Sequence, residues 1–151
     1  VRHPRTLPDA DTWFSCFDMV QLNEAEMARL GPDPMAVAAN ALGAGVGLLA
    51  VTLGPRGSVY FTSYGFGLDR PAVHTRGGPI RTARVPAPAV PERGDPTGCG
   101  DVFGATLLAH LLRGAPVEEA VAQANHYAAR NVSARGATRL QYHLRGEIVP
   151  A

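Results

Sequence analysis

Lysine is absent from the 151 residues, and all 14 basic side chains are Arg. That absence removes several chemistries from this chain. A Walker A loop sets its Lys on the phosphates, a protein kinase needs its strand Lys, and Schiff-base catalysis needs a side-chain amine. Cysteine is nearly absent too. Cys16 and Cys99 stand far apart, which suits neither a CxxC metal clip nor a disulfide framework. The five His residues (His3, His74, His110, His126, His143) show neither HExxH nor another paired-ligand spacing, so they read as scattered rather than as a metal centre. No apolar run reaches the roughly 20 residues of a membrane-spanning helix. The first residues, VRHPRTLPDADTW, lack the apolar core of a signal peptide, so a reduced, cytoplasmic setting is expected. A formal net charge of +1 provides no field to gather nucleic acid or an anionic membrane, and neither is expected as a partner.

What is present is ordinary for a globular chain: 46% hydrophobic residues and a mean hydropathy of -0.02, enough for a core. The length is one domain's worth, or half of a larger one. Phe14 to Leu22 is a short apolar run of strand character. Glu24 to Leu30 is helical and stops at Gly31-Pro32, and Pro34 to Leu42 suits a second helix closed by Gly43 and Gly45. Val46 to Leu53 is a continuous apolar run, the pattern of a strand buried on both faces. It breaks at Gly54-Pro55-Arg56-Gly57 and resumes over Ser58 to Thr62, which predicts a hairpin. Short strands are expected around Ala72 to His74 and Ile80 to Val85. Val102 to Leu112 is strongly helical, with Gly114 and Pro116 separating it from a second helix. There Val117, Ala120, Val121, Ala124 and Ala128 share one face, and Arg135-Gly136 ends it. A last short strand is expected after Arg139. Strands alternating with helices predict an α/β layer structure with a mostly parallel sheet.

The segment carrying most chemistry is Asp95-Pro96-Thr97-Gly98-Cys99-Gly100-Asp101, running directly into a helix. Gly98 and Gly100 let backbone approach a ligand closely, and the helix N-terminus offers free N–H groups and a positive dipole end to phosphate oxygens. Asp101 stands where a base could accept a proton from a hydroxyl as a phosphoryl group arrives. By itself the segment is equally readable as a turn with Asp101 as N-cap. It is not a dinucleotide fingerprint: Gly98, Gly100 and Gly104 read G-x-G-x-x-x-G, with Phe103 where the third Gly belongs.

DPTGCGDVFGATLLAHLL resembles the second signature of the ribokinase, or PfkB, carbohydrate kinase family, usually D-T-x-G-A-G-D. Cys99 replaces the usual Ala and Pro96 the commoner Thr. The resemblance implies Asp101 as catalytic base, with the amides of Gly98, Cys99 and Gly100 as anion hole. Further segments follow in the family's order. Asn23-Glu24-Ala25-Glu26 matches its N-x-x-E motif, which implies that Asn23 and Glu26 act on the phosphate–Mg2+ assembly, both holding the ion through water. Thr52-Leu53-Gly54-Pro55-Arg56-Gly57 matches the T-L-G-x-x-G turn that cradles the nucleotide, implying Thr52, Gly54, Arg56 and Gly57 as nucleotide contacts beside Gly100. Asn125 matches an Asn near the nucleotide base. Asp95 and Thr97, with carbonyls around Asn131, Ala134 and Gly136, match a monovalent-cation (K+) site of several members. Each segment also has a plain structural reading: a polar helix start, a hairpin turn, a helix-surface Asn.

The resemblance, running from Phe17 to about Arg139, implies a ribokinase-like three-layer αβα sandwich of which residues 1–151 form the C-terminal, nucleotide-binding half. It implies ATP-dependent phosphorylation of a sugar or nucleoside hydroxyl with Mg2+. Family members are about twice this length, and the lid and most sugar-contacting residues lie in their N-terminal half. A half-sheet would expose an edge, which pairing with another chain, such as a second copy in a homodimer, would cover. The competing expectation is a non-catalytic nucleotide-binding module or an inactive kinase fragment.

Overall fold

The computed structural model describes residues 10–68, 78–90 and 94–132. In chain order these form α1 (Ala10–Phe14), β1 (Met19–Asn23), α2 (Glu24–Leu30), α3 (Pro34–Ala44), β2 (Leu48–Thr52), a 3-10 turn (Gly54–Arg56), β3 (Ser58–Ser63), β4 (Ile80–Val85), α4 (Cys99–Leu112) and α5 (Val117–Val132).

The apolar run of β2 organises the layers. Leu48 and Ala50 point to one face and join Tyr60, Phe103, Leu107 and Val121 under α4 and α5. Leu49 and Val51 point to the other and join Met27, Val37, Ala38 and Phe61 under α2 and α3. Period-two alternation on a strand buried on both sides thus yields helix, sheet and helix layers. Phe103 and Leu107 are almost wholly buried, and truncating such a side chain to Ala costs about 3–5 kcal/mol.

The α/β architecture and the β2–β3 hairpin match expectation; a mostly parallel sheet does not. The four strands lie in the order β1-β2-β3-β4. β1 and β2 are parallel, with Met19 opposite Leu48 through to Asn23 opposite Thr52. β2–β3 and β3–β4 are antiparallel, so the sheet is mixed rather than mostly parallel. Between β1, β2 and β3 the directions follow from the length of the connections. Leu53 to Gly57 is far too short for a crossover, which takes a dozen or more residues, whereas α2 and α3 carry the chain from β1 to a parallel β2.

Strand β1 also begins later than the run from Phe14 suggests. Phe14 closes α1. Turn bonds from Cys16 N to Trp13 O and Phe17 N to Phe14 O, and from Ser15 Oγ to Thr12 O, hold this stretch out of the sheet. The helices at α2 and α3 fall where their stop signals put them. Asp33 Oδ1 accepts from Met35 N, Pro34 opens α3, and Gly45 at φ 119 closes it in a left-handed cap. β3 and β4 appear as expected, and α5 buries the Ala120, Val121 and Ala124 face. The segments around Ala72 to His74, Arg135-Gly136 and the tail after Arg139 lie outside the described residues. Among the described residues, no helix is long and apolar enough to cross a membrane.

Candidate functional site

The parallel pair β1–β2 ends with Asn23 and Thr52 side by side. Thr52 Oγ1 donates to Leu22 O at 3.4 Å, tying the two strand ends together. α4 starts beside them. Its N-cap is Gly98, held at φ 81, and no side chain caps the helix. Asp101 is therefore not an N-cap; it is an exposed residue of the first turn, which removes the plainest structural reading of it. The Cys99 N–H, expected in the anion hole, instead donates to Pro96 O at 3.1 Å. Among the described residues, the first-turn amides left for a ligand are those of Gly100 and Asp101.

Two cavities meet at this point. A polar one of about 480 Å3 is lined by Gln21, Asn23, Glu26, Thr52, Gly100 and Asp101. A more apolar one of about 310 Å3 runs from Thr52, Gly54 and Gly57 past Cys99 and Phe103 to Asn125 and the end of α5, in the size range of small-molecule sites. Thr52 and Gly100 wall both. The fold thus brings together Asn23, Glu26, Thr52, Gly100 and Asp101 in one cavity and Thr52, Gly54, Gly57, Gly100 and Asn125 in the other.

Two glycines here differ in what requires them. Gly57 has φ 90, and a Cβ would come within 2.2 Å of Val85 O, so the fold itself needs glycine. At Gly100 a Cβ would meet only Gln21 Nε2, at an ordinary 3.7 Å, among the described residues. Nothing in the packing demands glycine there; the space it leaves opens to the cavities.

The motif residues also serve the fold. Asn23 and Glu26 form a capping box on α2: Glu26 N donates to Asn23 Oδ1 and Asn23 N to Glu26 Oε2, both at 2.8 Å. Asn125 is buried, not on the helix surface. Its Nδ2 donates to Val85 O at 3.0 Å, fixing the end of β4 against α5. Arg56 lines neither cavity. Its guanidinium pairs with exposed Glu24, and its carbonyl accepts from Arg84 Nη2.

Asp95 Oδ1 accepts from Thr97 N at 2.9 Å. Hydrogen bonds from the Thr97 side chain and then its amide hold the Asp95 carboxyl below its usual value, against a smaller opposing effect of burial. Thr97 O accepts from Asn131 Nδ2 at 2.9 Å, and Asp95 N donates to Val132 O, so this loop is bound to the end of α5. The Asn131 side chain is fully buried, and its Oδ1 has no partner among the described residues. Ala134 and Gly136 lie outside them, as do three of the five His residues. Among the described residues no group of three or more His, Cys, Asp or Glu could hold a metal.

Two residues escaped sequence reasoning. Gln21 lines the polar cavity, and its signal was a lone polar residue inside the apolar run MVQL. The Asn131 side chain had no such signal, since only the fold brings it to Thr97.

A family model described as pfkB family carbohydrate kinase matches residues 1–142. Among solved structures, an adenosine kinase from Sinorhizobium meliloti is 26% identical, with a TM-score of 0.61 over 87% of this chain and 36% of that one. An Arabidopsis thaliana ribokinase complexed with ribose and ATP is 20% identical, with a TM-score of 0.67 over 93% of this chain and 44% of its own. An E. coli protein described as a ribokinase II, in complex with ATP and Mg2+, is 23% identical, with a TM-score of 0.65 over 90% and 42%. The chain spans less than half the length of each of these structures. No curated protein matches it.

Proposed function

Because the chain belongs to the pfkB family of carbohydrate kinases, we propose that it is the nucleotide-binding and catalytic portion of an ATP-dependent kinase acting on a sugar or nucleoside hydroxyl. The observation that carries this reading is the meeting of Asp101, the uncapped start of α4 and the strand ends Asn23 and Thr52 around one polar cavity, with the apolar cavity adjoining.

The division of labour follows from the chemistry of the walls. The apolar cavity takes the nucleoside part of the donor, between the Gly54–Gly57 turn and the Phe103, Asn125 and Val132 side. The phosphates lie across Gly100, where a Cβ is missing and the Gly100 and Asp101 amides point from a helix N-terminus. The acceptor hydroxyl approaches Asp101 from the polar cavity. Asp101 accepts its proton as the oxygen bonds to the γ-phosphorus and the bond to the leaving diphosphate breaks. Amides and helix dipole stabilise charge on the transferring oxygens. The polar cavity offers hard oxygen donors, among them those of Glu26, Asn23 and Asp101, which fits Mg2+ held through its water shell. Such an ion, when bound, neutralises phosphate charge. A K+ site at Asp95 and Thr97 belongs to the same proposal.

The residues that hold the acceptor belong, on this reading, to the part of the family fold that the chain does not span. That shortfall favours a second reading for the chain alone: nucleotide binding without transfer. Titration with a non-hydrolysable ATP analogue, followed by assay of ATP consumption against a panel of sugars and nucleosides, separates the two. Binding with acceptor-dependent transfer supports the kinase, binding without transfer supports the module, and no binding defeats both.

A further inference from the structure

Gln21 stands in β1 two residues before Asn23, yet its side chain works on α4. Nε2 donates to the Gly100 carbonyl oxygen at 2.9 Å. The other end of the same amide occupies the space beside Gly104, where a Cβ would lie 2.4 Å from Oε1. Both contacts form part of the wall of the polar cavity.

The Gly100 carbonyl and the Asp101 N–H belong to one planar peptide group. A hydrogen bond accepted by that carbonyl fixes the plane and polarises the N–H at its far side, since hydrogen bonds in a chain strengthen one another. The Asp101 N–H is one of the two first-turn amides left for a ligand, and Asp101 carries the carboxylate assigned as base. We infer that Gln21 is a positioning residue for phosphoryl transfer, setting the Gly100–Asp101 peptide so that amide and carboxylate meet the transferring group together. The inference rests on the kinase reading of this site. It also explains Gly104: a side chain there would evict the Gln21 amide from its place.

The test is steady-state kinetics of the full-length enzyme with ATP and the best acceptor of the sugar and nucleoside panel, for Gln21→Met, Gly104→Ala, the double variant and Asp101→Asn, with thermal midpoints alongside. Met keeps the length of Gln without the donor. Ala at a mid-helix glycine favours folding of the helix, so lost activity in that variant does not come from a weaker α4. Gln21→Met is expected to lower kcat about tenfold while leaving KM for ATP within about twofold, as for a group acting on the transition state through another. Gly104→Ala should do the same, and the double variant should be no worse than either single one, because both break the same contact. An unchanged kcat in Gln21→Met, or losses that multiply in the double variant, overturns the inference. So does a thermal midpoint that falls with no split between kcat and KM, the mark of a purely structural clamp. Full activity in Asp101→Asn would overturn the base role of Asp101, and the Gln21 role with it, whereas a parent enzyme without acceptor-dependent ATP consumption would overturn the kinase reading itself.

Discussion

Asn23 and Thr52 are register partners, the last pair of the parallel strands β1 and β2. One caps α2 and the other ends β2 just before the Gly54–Arg56 turn, so two motifs 29 positions apart in sequence emerge at one end of the sheet. Ligand sites of open α/β sheets lie at the carboxyl ends of parallel strands, and here α4 delivers its N-terminus to that end. The predictions below separate what these residues do for the fold from what they do for a ligand.

Gly100→Ala should leave the thermal midpoint unchanged or raised, since Ala favours helix and the nearest atom to its Cβ, among the described residues, is at 3.7 Å. ATP-dependent phosphotransfer should nevertheless collapse, because the methyl group occupies the place of the phosphates. A variant that is as active as the parent would remove the anion site from Gly100.

Glu26 has two duties that Gln can divide. A Gln at this position of a capping box still bonds the Asn23 N–H, so Glu26→Gln should unfold within about 0.5 kcal/mol of the parent in urea. Its loss of charge should raise the Mg2+ concentration needed for half-maximal activity. By contrast Asn23→Ala removes the cap and should cost about 1 kcal/mol of stability. An identical Mg2+ dependence in Glu26→Gln would confine that residue to capping.

Asn125→Ala should destabilise by about 1–3 kcal/mol, because it leaves the buried Val85 carbonyl without its donor. Urea unfolding measures this directly. If the variant folds as well as the parent and loses only affinity for ATP, the amide serves the nucleotide rather than β4.

Asp95 sets an acid limb. Its folded pKa lies below the unfolded value, so its contribution is fully present above the ordinary Asp value of about 3.9 and is lost as pH falls through the lowered folded value. Stability of the parent should therefore drop with falling pH in that acidic window. Asp95→Asn should flatten the drop there, measured as thermal midpoint against pH, while leaving its shape above pH 5 unchanged.

Much of this was legible in the sequence for identifiable reasons. The strand at Leu48 to Thr52 showed itself because burial on both faces leaves no polar position before Thr52, and α3 because Pro34 and Gly45 mark its ends. That Asn23, Glu26, Thr52, Gly100 and Asp101 line one cavity followed from motifs matching a family pattern in order, since each alone also reads as a cap or a turn. The short Leu53 to Gly57 connection likewise made the antiparallel β2–β3 hairpin legible, whereas the antiparallel pairing of β4 with β3 was not, since no residue of Ile80 to Val85 states how its neighbour runs. Nor was the bond from Asn125 to Val85, the pairing of Arg56 with Glu24 or the bond from Gln21 to Gly100, because each partner is remote in sequence.

The most direct test of the site is Asp101→Asn in the full-length enzyme, followed by turnover and by binding of a non-hydrolysable ATP analogue. The exposed side chain at the first turn of α4 supports no cap and little packing, so the variant should fold and bind the analogue nearly as the parent does. Turnover should fall by at least about a hundredfold, as expected on losing a general base. Turnover near that of the parent would contradict the role of Asp101 as the base that deprotonates the acceptor.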